Sequence, residues 1–318
     1  MPYAGWRTQP CEEPMRVIVV ANKWWECDPA LAAMLNNNAR PPHSPWPDVL
    51  HPPRKVPEQM PKFNEYPVPR AVFGYRHFRA EIWCISDLLD HYSSADQSSS
   101  QIKAQVLPRI FEYSEKDATP EKPALVIALG TACTPVDFQN RNGCVAVGTD
   151  VFMHNARAGC PTSSSNLQSF YYDQLLKSSI SPETFAAISA MDVTSAVTAF
   201  LPVPTNASAV TNITIGYGAV ALNTINVTDP ACYAVCDKMT LDAFESQRLK
   251  GSPVSLETTH GLIRIQSDSP FLFVSGIVNR YQKFADDVGP RPNGQNTAGA
   301  YNAGVCVTWM LAALDSAA

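Results

Sequence analysis

The apolar positions of this chain fall into short runs, and polar loops with helix-start signals separate them. Arg16 to Ala21 (RVIVVA) is a β-branched run with the length of a buried strand. A polar loop from Asn22 to Cys27 follows, and Asp28-Pro29 reads as an N-cap with proline at the first helical position. That helix is expected to continue through Ala30, Leu31, Met34 and Leu35. Val72 to Phe78 and Ala80 to Ile85 predict paired strands, and a helix is expected over Ile102 to Tyr113, kinked or restarted at Pro108. Ala124 to Pro135 (ALVIALGTACTP) predicts a second buried strand that ends in a turn at Gly130-Thr131. Small residues there admit a ligand to the backbone, and the Thr131 hydroxyl can hydrogen-bond it. Val145 to Val151 predicts another strand, with His154 beyond it, and Asn212 to Asn223 a glycine-interrupted one. Ser181-Pro182 and Asp229-Pro230 are further capped helix starts. Ala298 to Leu314 closes the chain as a helix packed on the sheet.

The stretch from Ser255 to Arg280 concentrates the candidate chemistry. Phe271, Leu272, Phe273, Val274, Ile277 and Val278 form a nearly continuous apolar run, the pattern of a strand covered on both faces. Asn279 and Arg280 stand where the run stops, and ligands of open α/β sheets collect beyond the carboxyl ends of strands. Glu257 is expected on a helix-like run that folds back toward the same crevice. Glu26 lies at the mouth of the first βα unit. It is either a ligand-facing acid or a first-turn carboxylate favoured by the helix dipole.

Composition narrows the possibilities. A chain of 318 residues with 45% hydrophobic residues can bury a large core. Only 17% of residues are charged and the formal net charge is -5, which leaves no basic field for nucleic acid. No run approaches the length needed to span a bilayer. The start, MPYAGWRTQPCEEPM, lacks the pattern of a secretory signal, so the nine cysteines are expected to be reduced and the protein cytoplasmic. With no CxxC pair, no metal site is expected. The chain is expected to form one domain over 1–318, with a proline-rich excursion at about 40–70. Ten prolines lie between Pro41 and Pro69, among them Trp46, Phe63 and Tyr66. Such a segment should be extended and irregular, as a lid, a subunit arm or a structural wrapping.

The order of these parts resembles the purine nucleoside phosphorylase and methylthioadenosine nucleosidase superfamily, from about Met15 to the C-terminal helix. The resemblance rests on VVANKWWE after the first strand, on LGTAC, and on GCVAVGTDVFMHN. It rests also on the hydrophobic-Glu pair Leu256-Glu257 and on VSGIVNR. It implies a three-layer αβα fold around a twisted mixed sheet, commonly assembled as homo-oligomers, and cleavage of the N-glycosidic bond of a purine or related nucleoside. Neither metal nor organic cofactor is implied, and phosphate enters only as the co-substrate of a phosphorylase.

The same resemblance implies roles for particular residues. Glu257, in the pair with Leu256, would accept hydrogen bonds from ribose hydroxyls, and its charge would favour an oxocarbenium-like transition state. Asn279 would contact the imidazole-ring nitrogen of the base, with Asp286 or Asp287 as alternatives. Glu26 would position and deprotonate water as a general base. Trp24 or Trp25 could stack on a base or serve packing. Phosphorolytic members place an arginine in the first loop or before the Gly-Ser/Thr turn. This chain has Lys23, Ala128 and Leu129 there, so water is the expected second substrate and phosphate the alternative. A non-catalytic relative that stores or senses a ligand is the competing class.

Overall fold

A computed structural model of the protein describes residues 14–53, 68–92, 100–113, 121–134, 143–153, 174–191, 193, 215–223, 254–280 and 293–317. In chain order the strands are β1 (Met15–Ala21), β2 (Asp48–His51), β3 (Ala71–Gly74), β4 (Phe78–Cys84), β5 (Leu125–Thr134) and β6 (Val145–Gly148). They continue as β7 (Asp150–Met153), β8 (Gln174–Leu176), β9 (Ile215–Tyr217), β10 (Val220–Asn223), β11 (Val254–Glu257) and β12 (Phe271–Arg280). The α-helices are α1 (Trp24–Met34), α2 (Ile85–Tyr92), α3 (Ser100–Phe111), α4 (Pro182–Ser189), α5 (His260–Ile265) and α6 (Asn293–Ala317).

The apolar runs become strands whose alternate residues serve two cores. Val17 and Val19 of β1, Ile127 and Leu129 of β5, and Leu272 and Val274 of β12 enter one cluster with α1 and α6. Ile18 and Val20, Val126 and Ala128, and Phe271 and Phe273 enter another with α3 and α5. A strand apolar at every position is stable only when covered on both faces, and the result is three layers, αβα. The mixed sheet runs β2-β3-β4-β1-β5-β11-β10-β7-β8, while β12 pairs with β5 and β6, and β6 with β9.

The strand lengths in the middle of the sheet differ, and this positions the cleft. β1 lies parallel to β5 and stops with Ala21 opposite Leu129. β5 runs on along β12 as far as Thr134. Leu256 of β11 then takes up β5 from the other direction, opposite Cys133.

Several expected elements differ. α1 starts at Trp24, earlier than Asp28: the Cys27 N–H already donates to the Lys23 carbonyl at 2.9 Å. Pro29 therefore lies inside the helix, and Asp28 is an ion-pair partner of Arg70 at 2.7 Å instead of an N-cap. Gly130-Thr131 makes no turn, because both residues stay in register with Ser275 and Gly276 of β12. Glu257 ends a strand, since β11 is held parallel to β10 through Asn223 and Glu257. The expected strand over 145–151 is two, β6 pairing with β12 and β7 with β10. The run over 212–223 breaks at Gly218, whose φ of 73° ends β9 before β10 begins. α3 passes through Pro108 without restarting. The proline-rich excursion contributes an edge strand, β2, antiparallel to β3. Residues 54–67 of that segment, 93–99 of the serine-rich stretch, His154, Asp229-Pro230, Asp286 and Asp287 lie outside the described residues.

Close approach of α6 seats both the sheet and α1. A Cβ on Gly276 would stand 1.9 Å from the Gly299 carbonyl oxygen, and one on Gly304 would stand 2.5 Å from the Ala30 Cα. Alanine gains about 1 kcal/mol over glycine in a helix. At Gly304, however, the obstruction is the backbone of α1, which cannot rotate aside, and overpacking of this kind costs about 1–3 kcal/mol or more. Gly304→Ala is expected to lower the urea midpoint despite its better helix propensity; an unchanged or raised midpoint would show that α1 and α6 are not in such contact.

Candidate active site

Where β1 stops, a carboxylate takes its place. The Val126 N–H donates toward β12, to the Pro270 carbonyl at 2.9 Å, so by alternation the Thr131 N–H points to the β1 side of β5. Glu26 meets it there. Its Oε1 accepts from the Thr131 backbone N–H at 2.8 Å and from the Thr131 hydroxyl at 2.7 Å. Its Oε2 accepts from the Lys23 N–H at 3.0 Å, which is the carboxylate half of a capping box at the start of α1. The helix start is itself held. Arg70 binds Asp28 of α1 and Asp87 of α2, and the Ser86 N–H and hydroxyl donate to the Asn22 carbonyl. Both tryptophans lie outside this frame.

Glu257 approaches from the opposite direction, at the end of β11. Its Oε2 accepts from the backbone N–H groups of Thr259 and His260, the latter at 2.7 Å, and so closes the start of α5. The first residue of α5, His260, is 2% exposed and stacks on Phe273 with ring centroids 5.5 Å apart. Its Nε2 lies 2.9 Å from the Ser275 hydroxyl, and the Ser255 hydroxyl donates to Ser275 at 2.7 Å. The His260 Nδ1 stands 3.7 Å from Glu257 Oε2. That spacing would be an ion pair if the ring were charged, but burial pushes the imidazole down to about 3 and 3.7 Å is too long for a hydrogen bond. The neutral ring is the stable form.

Glu26, Glu257 and His260 line one cleft, together with Asn22, Leu129, Gly130, Thr131, Thr258, Thr259 and Ile263. Gly130 forms its floor: a Cβ there would stand 3.2 Å from the His260 Cε1 and 3.4 Å from the Glu26 Oε1. Two carboxylates from opposite ends of the sequence thus share a small, partly enclosed space with a neutral imidazole. Asn22 Oδ1 and His260 Nδ1 are buried without a hydrogen-bond partner among the described residues. Buried polar atoms of this kind are costly unless something meets them.

Of the residues singled out from the sequence, Glu26, Thr131 and Glu257 meet in this cleft. Trp24 is 45% exposed and packs edge-on against Trp25, and Leu256 is buried beside Glu257 on the alternate strand face; neither lines the cleft. Asn279 follows an irregularity in the pairing of β12, with its backbone opposite Cys133 and Arg280 opposite Thr134. The side chains of Asn279 and Arg280 lie outside the described set. Sequence reasoning missed His260, Asn22 and the serine pair. The legible signals were a histidine three residues after an acid and Ser275 within an otherwise apolar strand.

Burial of His260 has a measurable pH signature. The unfolded ring takes up its proton near pH 6.5, whereas the folded ring does so only near 3. Between these values the unfolded chain binds more protons, so stability falls as pH falls. From pH 6.5 to 4.5 the His260→Gln variant is expected to lose about 2–3 kcal/mol less stability than the parent in urea titrations. Parallel pH profiles would mean that the ring is not buried in its neutral form.

Comparison with known proteins bears on the fold. No family model matches the chain, and no curated protein matches it in sequence. Among solved structures, 5'-methylthioadenosine nucleosidase of Arabidopsis thaliana in its apo form aligns with a TM-score of 0.50 at 11% identity, covering 94% of this chain and 95% of its own. 5'-Methylthioadenosine/S-adenosyl homocysteine nucleosidase of Helicobacter pylori aligns with a TM-score of 0.51 at 10% identity, covering 94% and 99%. With coverage almost end to end on both sides, the chain has the fold of these nucleosidases.

Proposed function

We propose that the protein cleaves the N-glycosidic bond of a nucleoside, with water as the second substrate. The observation that carries this reading is the convergence of Glu26 and Glu257 on one cleft, across Gly130 and Thr131. In the reaction, water adds to the anomeric carbon, the glycosidic electron pair leaves with the base, and the departing base takes up a proton. Positive character grows on the sugar as the bond opens. Glu26, tied on both sides to backbone donors, accepts the proton of the attacking water. Glu257 accepts hydrogen bonds from the sugar hydroxyls, and its negative charge stabilises the cationic sugar in a site of low dielectric. Asn279, at the end of β12, is assigned the hydrogen bond to the leaving base on the strength of the sequence resemblance.

The electrostatics favour water over phosphate. Two carboxylates in one cleft repel a phosphate dianion and attract a cationic transition state. The Helicobacter pylori structure is of a complex with a compound in which a 4-amino-pyrrolopyrimidine is joined to a pyrrolidinol. A purine-like base on a five-membered ring is the corresponding class of ligand here.

Release of free base from a panel of purine and pyrimidine nucleosides, followed by chromatography with and without phosphate, tests the reading. The expected result is release that does not depend on phosphate; strict dependence would make the protein a phosphorylase, and no release from any nucleoside would remove the activity. Glu26→Gln is expected to lower kcat by about 10²–10⁴-fold while nucleoside binding persists, and Glu257→Ala to lower kcat/KM by at least about 10²-fold. Full turnover in either variant, folded as judged by its urea midpoint, would take that residue out of the mechanism.

A further inference from the structure

We propose that His260 is a sugar-binding residue: its Nδ1–H donates to a sugar hydroxyl whose own hydrogen is accepted by Glu257. The proposal deepens the nucleosidase reading and rests on it. Its starting point is the proton inventory of the buried serine pair. Ser255 donates to Ser275 at 2.7 Å, which leaves the single hydrogen of Ser275 to be directed at the His260 Nε2, 2.9 Å away. A neutral imidazole that accepts at Nε2 carries its hydrogen on Nδ1. Stacking on Phe273, with an interplanar angle of 29°, fixes the plane of the ring. The Cε1 between the two nitrogens faces Gly130 in the floor of the cleft.

Nδ1 is buried and has no hydrogen-bond partner among the described residues. The nearby Glu257 Oε2 lies beyond hydrogen-bond range at 3.7 Å and already accepts two backbone N–H groups. An N–H donor and a carboxylate acceptor therefore stand 3.7 Å apart on two residues that line the cleft. A hydroxyl group is both donor and acceptor, and this pairing is complementary to it. Two carboxylates alone could accept from hydroxyls but would leave the hydroxyl oxygen without a donor. The neutral ring supplies that donor without adding positive charge beside a sugar that becomes cationic, and its burial keeps it uncharged.

The test separates the two ends of the imidazole. His260→Asn places an amide close to the position of Nδ1 and gives up the reach to Ser275; His260→Gln reaches Ser275 and gives up the donor at Nδ1. Each variant, and Ser275→Ala, is assayed with a purine ribonucleoside and its 2'-deoxy and 3'-deoxy counterparts. The readout is the ratio of kcat/KM for the ribonucleoside to that for each deoxy analogue. In His260→Gln the ratio for one of the two analogues is expected to fall by about tenfold or more, with most of it kept in His260→Asn. Ser275→Ala, which releases the tautomer, is expected to lower the same ratio, and serves as the measure if His260→Gln does not fold. Unchanged ratios in both His260→Gln and Ser275→Ala would overturn the role of His260 while leaving the nucleosidase reading intact. A parent protein that cleaves no nucleoside would overturn both.

Discussion

The carboxylate of Glu26, bridging the Lys23 N–H and the Thr131 backbone and hydroxyl, is the interaction on which the arrangement of the cleft depends. β5 outlasts β1, so a backbone donor in the middle of the sheet faces away from β12 at a point where β1 has ended. A buried N–H left alone there would cost about 1–3 kcal/mol. Glu26 meets that need from the first turn of the next helix, and in doing so fixes both the start of α1 and its own position over Gly130. Arg70, through Asp28, and Gly304, through its contact with Ala30, hold the helix in the orientation this requires.

Each half of the site also has a structural role. Glu26 caps α1, Glu257 caps α5, and both arrangements would be acceptable in a protein without chemistry. What capping leaves unexplained is that the two acids share a cleft with Asn22 and His260, each of which has a buried polar atom without a hydrogen-bond partner among the described residues. Two carboxylates close together raise each other's energy unless a cation or hydrogen-bond donors intervene. The imidazole does not supply the cation, because burial keeps it neutral. Donors of the protein meet part of that cost, with three hydrogen bonds at Glu26 and two at Glu257, and on the proposed reading a ligand rich in hydroxyls that becomes positive during reaction meets more of it.

Much of the sheet was legible because β1, β5 and β12 are apolar at nearly every position, a pattern that leaves few choices beyond a strand covered twice. Thr131 was legible as a polar residue late in the β5 run and Glu26 in the polar loop after β1, whereas Glu257 was marked by the Leu256-Glu257 pair of the family resemblance. The start of α1 was not, since Lys23 is no usual cap and Pro29 suggested a later first turn; the signal that prevailed was Glu26 at the third helical position. Gly130 suggested a turn, and only pairing with β12 shows it as strand. Glu257 looked helical because the residues after it are, whereas β11 is a four-residue strand set by β10. The part played by His260 depends on Ser255 and Ser275, which come together only when β11 and β12 are folded.

The central claim, that Glu26 and Glu257 face a nucleoside's sugar from two sides, is tested most directly by a crystal structure of the Glu26→Gln variant grown with a purine nucleoside. The account predicts the sugar hydroxyls on Glu257, the anomeric carbon turned toward residue 26, and the base toward the end of β12. A nucleoside bound away from both residues, or a cleft that stays without ligand at saturating nucleoside, would contradict it.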